Sequence, residues 1–343
     1  MEKKPGRLLK LDANEGRCVL TQTELASLLQ PEVAQRYPDA RPLENRLASW
    51  LGLRAGQVIA TAGADDAIDR IFRAYGGPGK TIITTTPGFV EFLDTCLRTK
   101  STFKSIYREP GEAFPLEAFL AALNREKPAI AILASPDNPA GTLIDEQAVF
   151  AIAETCKKTG TLFVFDITYI DFAEDYPLLE KSLAVLPWIV LTGSFSKSRG
   201  LAGFRAGWAA CSSENTTIID TLRDFGPPYS LSSPAIQAAL MAIEAGDRFQ
   251  AFVERVQTER RILTAAMARL GAKTWQSQAN FVTVAIENSK EFAECLLQEG
   301  IRVRTWPESP ESRKLVRITC PGNADEFEYL LSALEAVQAG GKS

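Results

Sequence analysis

Short apolar runs alternate along this chain with stretches in which apolar residues recur every three or four positions. Asp65 to Tyr75 (DDAIDRIFRAY) places Ile68, Ile71, Phe72 and Tyr75 at helical spacing. Gly-Gly-Pro-Gly then interrupts the pattern, and the β-branched run Thr81 to Thr85 (TIITT) predicts a strand. Ala129 to Ala134 (AIAILA) is the next short apolar run and ends at Ser-Pro-Asp-Asn-Pro. Asp145 is placed to cap a helix that reaches Lys158. Thr161 to Asp166 (TLFVFD) predicts a buried strand ending in a carboxylate, and Trp188 to Thr192 and Ala206 to Cys211 complete the series.

Strands that are apolar throughout, separated by helices, predict a mainly parallel sheet covered on both faces. In such sheets ligands collect at the carboxyl ends of the strands, where this sequence puts its unusual residues. From Ser233 to Leu270 the pattern is long and helical. Phe281 to Ile286, Ile301 to Arg304 and Leu315 to Thr319 then read as strands, and a closing helix runs from about Ala324 to Val337. The expectation is a large α/β unit joined through the long helix to a smaller one.

Composition narrows the chemistry. The 343 residues are 45% hydrophobic and 23% charged, as in an ordinary globular protein with room for two units. A net charge of -4, with no lysine/arginine-rich block, gives no overall attraction for nucleic acid. The N-terminus (MEKKPGRLLKLDANEG) is too charged for a signal segment, and no apolar run has membrane-spanning length. The six cysteines are scattered without a CxxC pair, which predicts reduced thiols and a cytoplasmic protein. Histidine is absent. That excludes Ser-His-Asp triads, Cys-His dyads, HExxH metal sites and histidine bases together, so proton transfer falls to a lysine, a carboxylate, a tyrosine, a thiol or a cofactor.

The densest chemistry lies in Thr192 to Gly207 (TGSFSKSRGLAGFRAG), where Arg205 follows Lys197 by eight residues. Ser194, Ser196 and Arg205 supply the hydroxyls and the cation that a phosphate needs, around a lysine able to reach an aldehyde. Asp166 ends its strand, with Tyr169 three residues on. An ionised carboxylate there could keep a pyridine nitrogen protonated, and Tyr169 could bond the ring's phenolic oxygen. In Ser135 to Gly141 (SPDNPAG) the Asn138 amide could reach the same oxygen. Gly63-Ala64-Asp65-Asp66 opens a helix whose first turn offers N–H groups to a phosphate. Each segment also has an ordinary reading: a surface lysine, a helix cap, a Pro/Asn/Gly turn, an acidic first turn.

Taken in order, these segments resemble fold-type I pyridoxal-phosphate (PLP) aminotransferases, and among them the histidinol-phosphate aminotransferase family. The likeness runs through LDANEG, QRYPD (35–39), GADDAID (63–69), SPDNPAGT, the FDxTYxxF stretch (165–172) and SFSKSRGLAGFRAGW. It continues through PPYSLS (227–232), ANF (279–281) and VRIT (316–319). The resemblance implies a large domain with a mainly parallel seven-stranded sheet flanked by helices, plus a smaller C-terminal α/β domain. It divides the chain into an N-terminal arm (1–27), a PLP-binding domain (28–233) and a small domain (234–343). It implies Lys197 as the residue that carries the cofactor as an imine, Asp166 on the pyridine nitrogen, and Asn138 and Tyr169 on the ring oxygen. Ala64, Asp65, Ser194, Ser196 and Arg205 match the phosphate cup.

Phe89 falls where the family usually has a tyrosine stacked on the ring, keeping the stacking surface and losing the hydroxyl. Tyr37 matches a tyrosine that reaches the cofactor phosphate of a neighbouring subunit, which implies a homodimer with shared sites. A buried aromatic before a proline turn is its other reading. Arg304 and Arg317 match two arginines that hold the substrate's phosphate or carboxylate. Otherwise they are solvated strand ends. The family's Asn-Glu-Asn-Pro-Tyr is replaced by Asn14-Glu15-Gly16-Arg17-Cys18, so Cys18 stands where an aromatic helps enclose an imidazole.

The resemblance implies amino transfer from histidinol phosphate to 2-oxoglutarate. Transfer from an aromatic or other amino acid, and a threonine-phosphate decarboxylase-like reaction, stay open within the same chemistry. A PLP-binding protein without catalysis stays open outside it.

Overall fold

The computed structural model describes residues 8–174, 188–212, 216–310 and 312–340. The first seven residues, part of the charged N-terminus read above, lie outside that set. Strand β1 (Leu9–Lys10) precedes the strands of the large sheet. These are β2 (Val58–Thr61), β3 (Thr81–Thr86), β4 (Thr102–Tyr107), β5 (Ile130–Ala134), β6 (Leu162–Asp166), β7 (Ile189–Ser194) and β8 (Gly207–Cys211). They form a seven-stranded sheet in the order β2-β8-β7-β6-β5-β3-β4, with only β8 antiparallel to its neighbours.

Strand β6 shows why the sheet needs cover on both faces. Phe163 and Phe165 enter one apolar core, while Leu162 and Val164 enter another across the sheet, and all four are buried. Helices lie on both faces. One of them, Glu146–Thr159, starts under Asp145, whose carboxylate accepts from the N–H of Ala148 at 2.8 Å, as the sequence predicts.

A third core gathers Leu11, Phe172, Phe252, Val256, Val282, Val316 and Ile318 around a four-stranded antiparallel sheet. Its strands are β9 (Lys273–Thr274), β10 (Phe281–Ala285), β12 (Arg304–Thr305) and β13 (Leu315–Thr319), while β11 (Ile301–Arg302) pairs with β1. The run Ile301 to Arg304, read as one strand, is therefore divided at Val303 between two partners.

The single long helix expected over 233–270 is also two, Ser233–Glu244 and Gly246–Arg269, broken at Ala245 (φ -78°, ψ 35°). Ala245 belongs to a core of the large sheet and Phe252 to the core of the small one. Turning the chain between two cores outweighs the helical pattern, at a place where glycine already weakens it. No helix among the described residues is long and apolar enough to cross a membrane.

Candidate functional site

The carboxyl ends of β5, β6 and β7 and the start of antiparallel β8 lie on one edge of the large sheet. Ser194, the last residue of β7, is paired with Gly207, which is paired in turn with Thr61 at the end of β2. The helix Ala64–Tyr75 begins just beyond Thr61, so its first-turn N–H groups, which have no intrahelical partner, open on this edge. Asp66 accepts from the N–H of Ala62 and pairs with Arg70 at 2.8 Å, away from the turn's open end. Asp65 pairs with Arg205 at 3.0 Å. Arg205 therefore reaches the helix start, held by a carboxylate and by its own left-handed backbone (φ 53°).

The approach depends on glycines. A Cβ on Gly207 would stand 2.4 Å from the carbonyl carbon of Gly63, and one on Gly63 (φ 89°) 2.6 Å from Arg205 Nη2. Ser194 completes this concave group, donating to Ser196 Oγ at 2.9 Å and accepting from the N–H of Ser196 at 3.1 Å. Ala64, Asp65, Ser194, Ser196 and Arg205 thus gather at one sheet edge as hydroxyls, open N–H groups and one cation, a set suited to a phosphate.

Lys197 follows immediately. Its Nζ donates to the carbonyl oxygen of Ala13 at 3.0 Å and stands 5.9 Å from the centre of the Tyr169 ring. Tyr169 is buried, its hydroxyl accepts from Asn14 Nδ2 at 3.1 Å, and its ring meets Phe281 edge-on at 5.3 Å. Because the tyrosine oxygen is the acceptor there, its own proton remains to be donated.

Asp166 is 5% exposed and accepts from the N–H of Thr168 at 2.9 Å. No cation among the described residues forms an ion pair with it. Burial pushes its carboxyl up to about 6. A buried carboxylate in this condition fits a protonated ring nitrogen as its missing partner.

Asn138 Oδ1 accepts from Arg317 Nη1 at 2.6 Å, which turns the two Nδ2 hydrogens toward other acceptors. The second Nη of Arg317 donates to the carbonyl oxygen of Asp12 at 2.6 Å, while its Nε is buried without a partner among the described residues. Burial first, and then Arg304 beside it, lower Arg317 to about 10. Arg317 is thus no solvated strand end, being only 6% exposed; Arg304, its register partner on β12, is exposed.

Two further predicted residues make their aromatic contacts with other side chains. Phe89 caps the helix Val90–Arg98 and packs edge-on against Phe92 at 5.5 Å. Tyr37 is 82% exposed, which removes the buried-aromatic reading, and it stacks on Tyr229 at 4.7 Å.

The structure adds residues that sequence reasoning did not assign. Residues 9–16 cross from the small sheet to the lysine loop: Asn14 bonds Thr319 and Tyr169, and the N–H of Gly16 meets the carbonyl of Ser196. A Cβ on Gly16 would stand 1.6 Å from the Lys197 carbonyl oxygen, so the departure from the family's Asn-Glu-Asn pattern coincides with a close backbone crossing. Trp306 lies beside both Arg304 and Arg317. Its position two residues after Arg304, hence on the same side of an extended segment, was the available signal.

Residues 11–334 match the family "Aminotransferase class I and II". The chain belongs to that family. The histidinol-phosphate aminotransferase of Chromobacterium violaceum is 32% identical over 95% of this chain and 91% of its own length. The histidinol-phosphate aminotransferase of Sinorhizobium meliloti, solved in complex with pyridoxal-5'-phosphate, superposes with a TM-score of 0.85 at 24% identity, covering 97% of this chain and 92% of that one. The L-threonine-O-3-phosphate decarboxylase of Porphyromonas gingivalis superposes with a TM-score of 0.79 at 20% identity, covering 96% of this chain and 99% of that one. These superpositions establish a shared fold, which serves more than one reaction.

Proposed function

We propose that this aminotransferase uses pyridoxal 5'-phosphate to move an amino group from histidinol phosphate to 2-oxoglutarate, giving imidazole acetol phosphate and glutamate. The observation that carries the reading is the single edge on which Lys197, Asp166 and the Asp65–Arg205 pair stand, joined through Tyr169 and Asn138 to Arg317. Bound pyridoxal phosphate supplies an aldehyde for the amino group and a ring that accepts the electron pair released at the substrate α-carbon.

The chain's residues do the rest. Arg205, Ser194, Ser196 and the first turn at Ala64 and Asp65 would hold the phosphate. Asp166 would keep a proton on the ring nitrogen, and Tyr169 and Asn138 would donate to the ring oxygen. Phe89 would present its face to the ring. Lys197 would hold the aldehyde and, once its Nζ is free, would take up the substrate's α-proton and give a proton back. With no histidine in the chain, Lys197 is the proton carrier nearest this chemistry. Arg304 and Arg317 would bind the phosphate of the donor and the carboxylates of the acceptor in turn.

Mixing the cofactor-loaded protein with histidinol phosphate should convert the visible absorbance of the lysine-bound cofactor to that of its amine form, and 2-oxoglutarate should reverse the change. No conversion with histidinol phosphate, but conversion with an aromatic amino acid, would move the substrate to that class, which Cys18 at an otherwise aromatic position favours. Carbon dioxide release from threonine phosphate would identify the decarboxylase alternative.

We further infer a cytoplasmic homodimer that shares its sites. Tyr37 and Tyr229 form a stacked pair standing 82% and 61% exposed, and Tyr229 holds a left-handed φ of 57°. A neighbour's cofactor phosphate would give Tyr37 a partner. Sedimentation should give twice the mass of the chain, and Tyr37→Phe should release the cofactor faster; a monomer at full activity would remove this inference.

A further inference from the structure

Arg304 and Arg317 are direct register partners on antiparallel strands β12 and β13, a position in which like charges repel. Neither forms an ion pair with a carboxylate among the described residues. Arg317 is fixed by Asn138 and by the Asp12 carbonyl. Among the described residues Arg304 has no such anchor, and it is exposed, so repulsion from Arg317 alone would turn it to solvent.

What stands beside both is an indole. The guanidinium carbon of Arg304 lies 5.5 Å from the centre of the Trp306 ring, and that of Arg317 also lies 5.5 Å from it. Both distances fall within the range over which the negative face of an indole attracts a cation. Trp306 is half-buried, so the ring is itself held in place. Arg317 is also 5.3 Å from the Phe281 ring, which packs on Tyr169, so the arrangement continues to the lysine.

We propose that Trp306 determines substrate specificity by positioning: it holds Arg304 next to Arg317, so that two guanidiniums rather than one face the substrate's acidic group. This rests on the reading above that the two arginines bind that group. A lone Arg317 serves a monoanion such as a carboxylate, whereas two adjacent cations favour a phosphate dianion, which can accept from both forks. Trp306 acts through the arginines, as a positioning residue.

The test uses the cofactor-loaded protein, whose own phosphate cup is filled, with inorganic phosphate and acetate as competitive inhibitors. Trp306→Leu should weaken inhibition by phosphate about tenfold, the loss of one charge-assisted contact, and inhibition by acetate by less than about twofold. With histidinol phosphate the loss should fall on KM rather than kcat. Trp306→Phe, which keeps an aromatic face, should restore most of the phosphate affinity. In an Arg304→Gln background, Trp306→Leu should have little further effect, because the remaining arginine, Arg317, keeps its own anchors on Asn138 and the Asp12 carbonyl.

Equal weakening toward both anions, or a full additional loss in the Arg304→Gln background, would overturn the proposal; so would an unchanged phosphate constant. Should Trp306→Leu fold poorly, as judged by its melting temperature, the Trp306→Phe and Arg304→Gln pair carries the same comparison. Wild-type protein that ignores histidinol phosphate while Trp306→Leu still loses phosphate selectivity would reject the substrate and leave the clamp standing. Turnover of histidinol phosphate that is indifferent to Trp306 would do the reverse.

Discussion

Lys197→Ala should lose the visible absorbance of the lysine-bound cofactor and reduce turnover by at least about 10⁴-fold, since on the proposed reading one side chain is both the covalent anchor and the proton carrier. Borohydride treatment followed by mass measurement of the intact chain separates the two roles from folding. The wild type should gain the mass of the reduced cofactor, and the variant should not. Stability should change little, by about 1 kcal/mol, because among the described residues Lys197 Nζ hydrogen-bonds only the Ala13 carbonyl, in a solvent-accessible setting. Urea unfolding without cofactor checks that. Wild-type turnover in the variant would remove Lys197 from the chemistry altogether.

The second large effect has opposite signs in the two states of the protein. Without cofactor, Asp166 is a buried carboxyl raised from an ordinary 3.8 to about 6. The folded protein then binds a proton there that the unfolded chain has already released. Between about pH 4 and pH 6 the folded state holds more protons, so the cofactor-free protein loses stability as pH rises through that window. The loss amounts to roughly 3 kcal/mol for a shift of this size.

Asp166→Asn should therefore stabilise the cofactor-free protein by about 2–3 kcal/mol at pH 8 and leave it nearly unchanged at pH 4. With cofactor bound the carboxylate would acquire a cationic partner, and removing one member of a buried pair costs about 3–5 kcal/mol. Turnover should fall about 10²- to 10³-fold. Thermal melts at the two pH values, with and without cofactor, distinguish this from a merely structural role. A variant destabilised at pH 8 without cofactor would contradict it. On the proposed reading, the same side chain that burdens the empty fold would support the electron sink of the loaded one, a trade expected at functional sites.

Much of the large unit is legible in the chain. β5, β6, β7 and β8 announce themselves as short apolar runs because a strand covered on both faces has no polar side to show. The helices at 64–75 and 146–159 are legible from their spacing and from Asp145. β4 is not, because it is an edge strand whose side chains are mostly exposed or half-buried, leaving Thr102 to Tyr107 without an apolar run. β2 is four residues long, too short for alternation to register.

The site divides in the same way. Lys197, Asp166, Arg205 and Asn138 could be marked from the sequence because each sits at or within a few residues of a strand end, in local company that suits one cofactor. Local spacing cannot show which segment crosses which. That Ala13 and Asn14 come back over the lysine loop, that Asn138 is locked to Arg317 across 179 positions, and that one indole faces two arginines follow only from packing. The break at Ala245 belongs with these, since the helical pattern continues through it and only the need to fill two cores turns the chain.

The sequence alone determined the alternation of strand and helix, the exclusion of histidine chemistry and the identities of the groups able to bind a phosphorylated aldehyde. These are properties of side chains and their near neighbours, set by period and burial. Only the tertiary structure decided how the arm, the lysine loop and the small sheet meet, because contacts between residues hundreds of positions apart depend on the shape the whole chain takes.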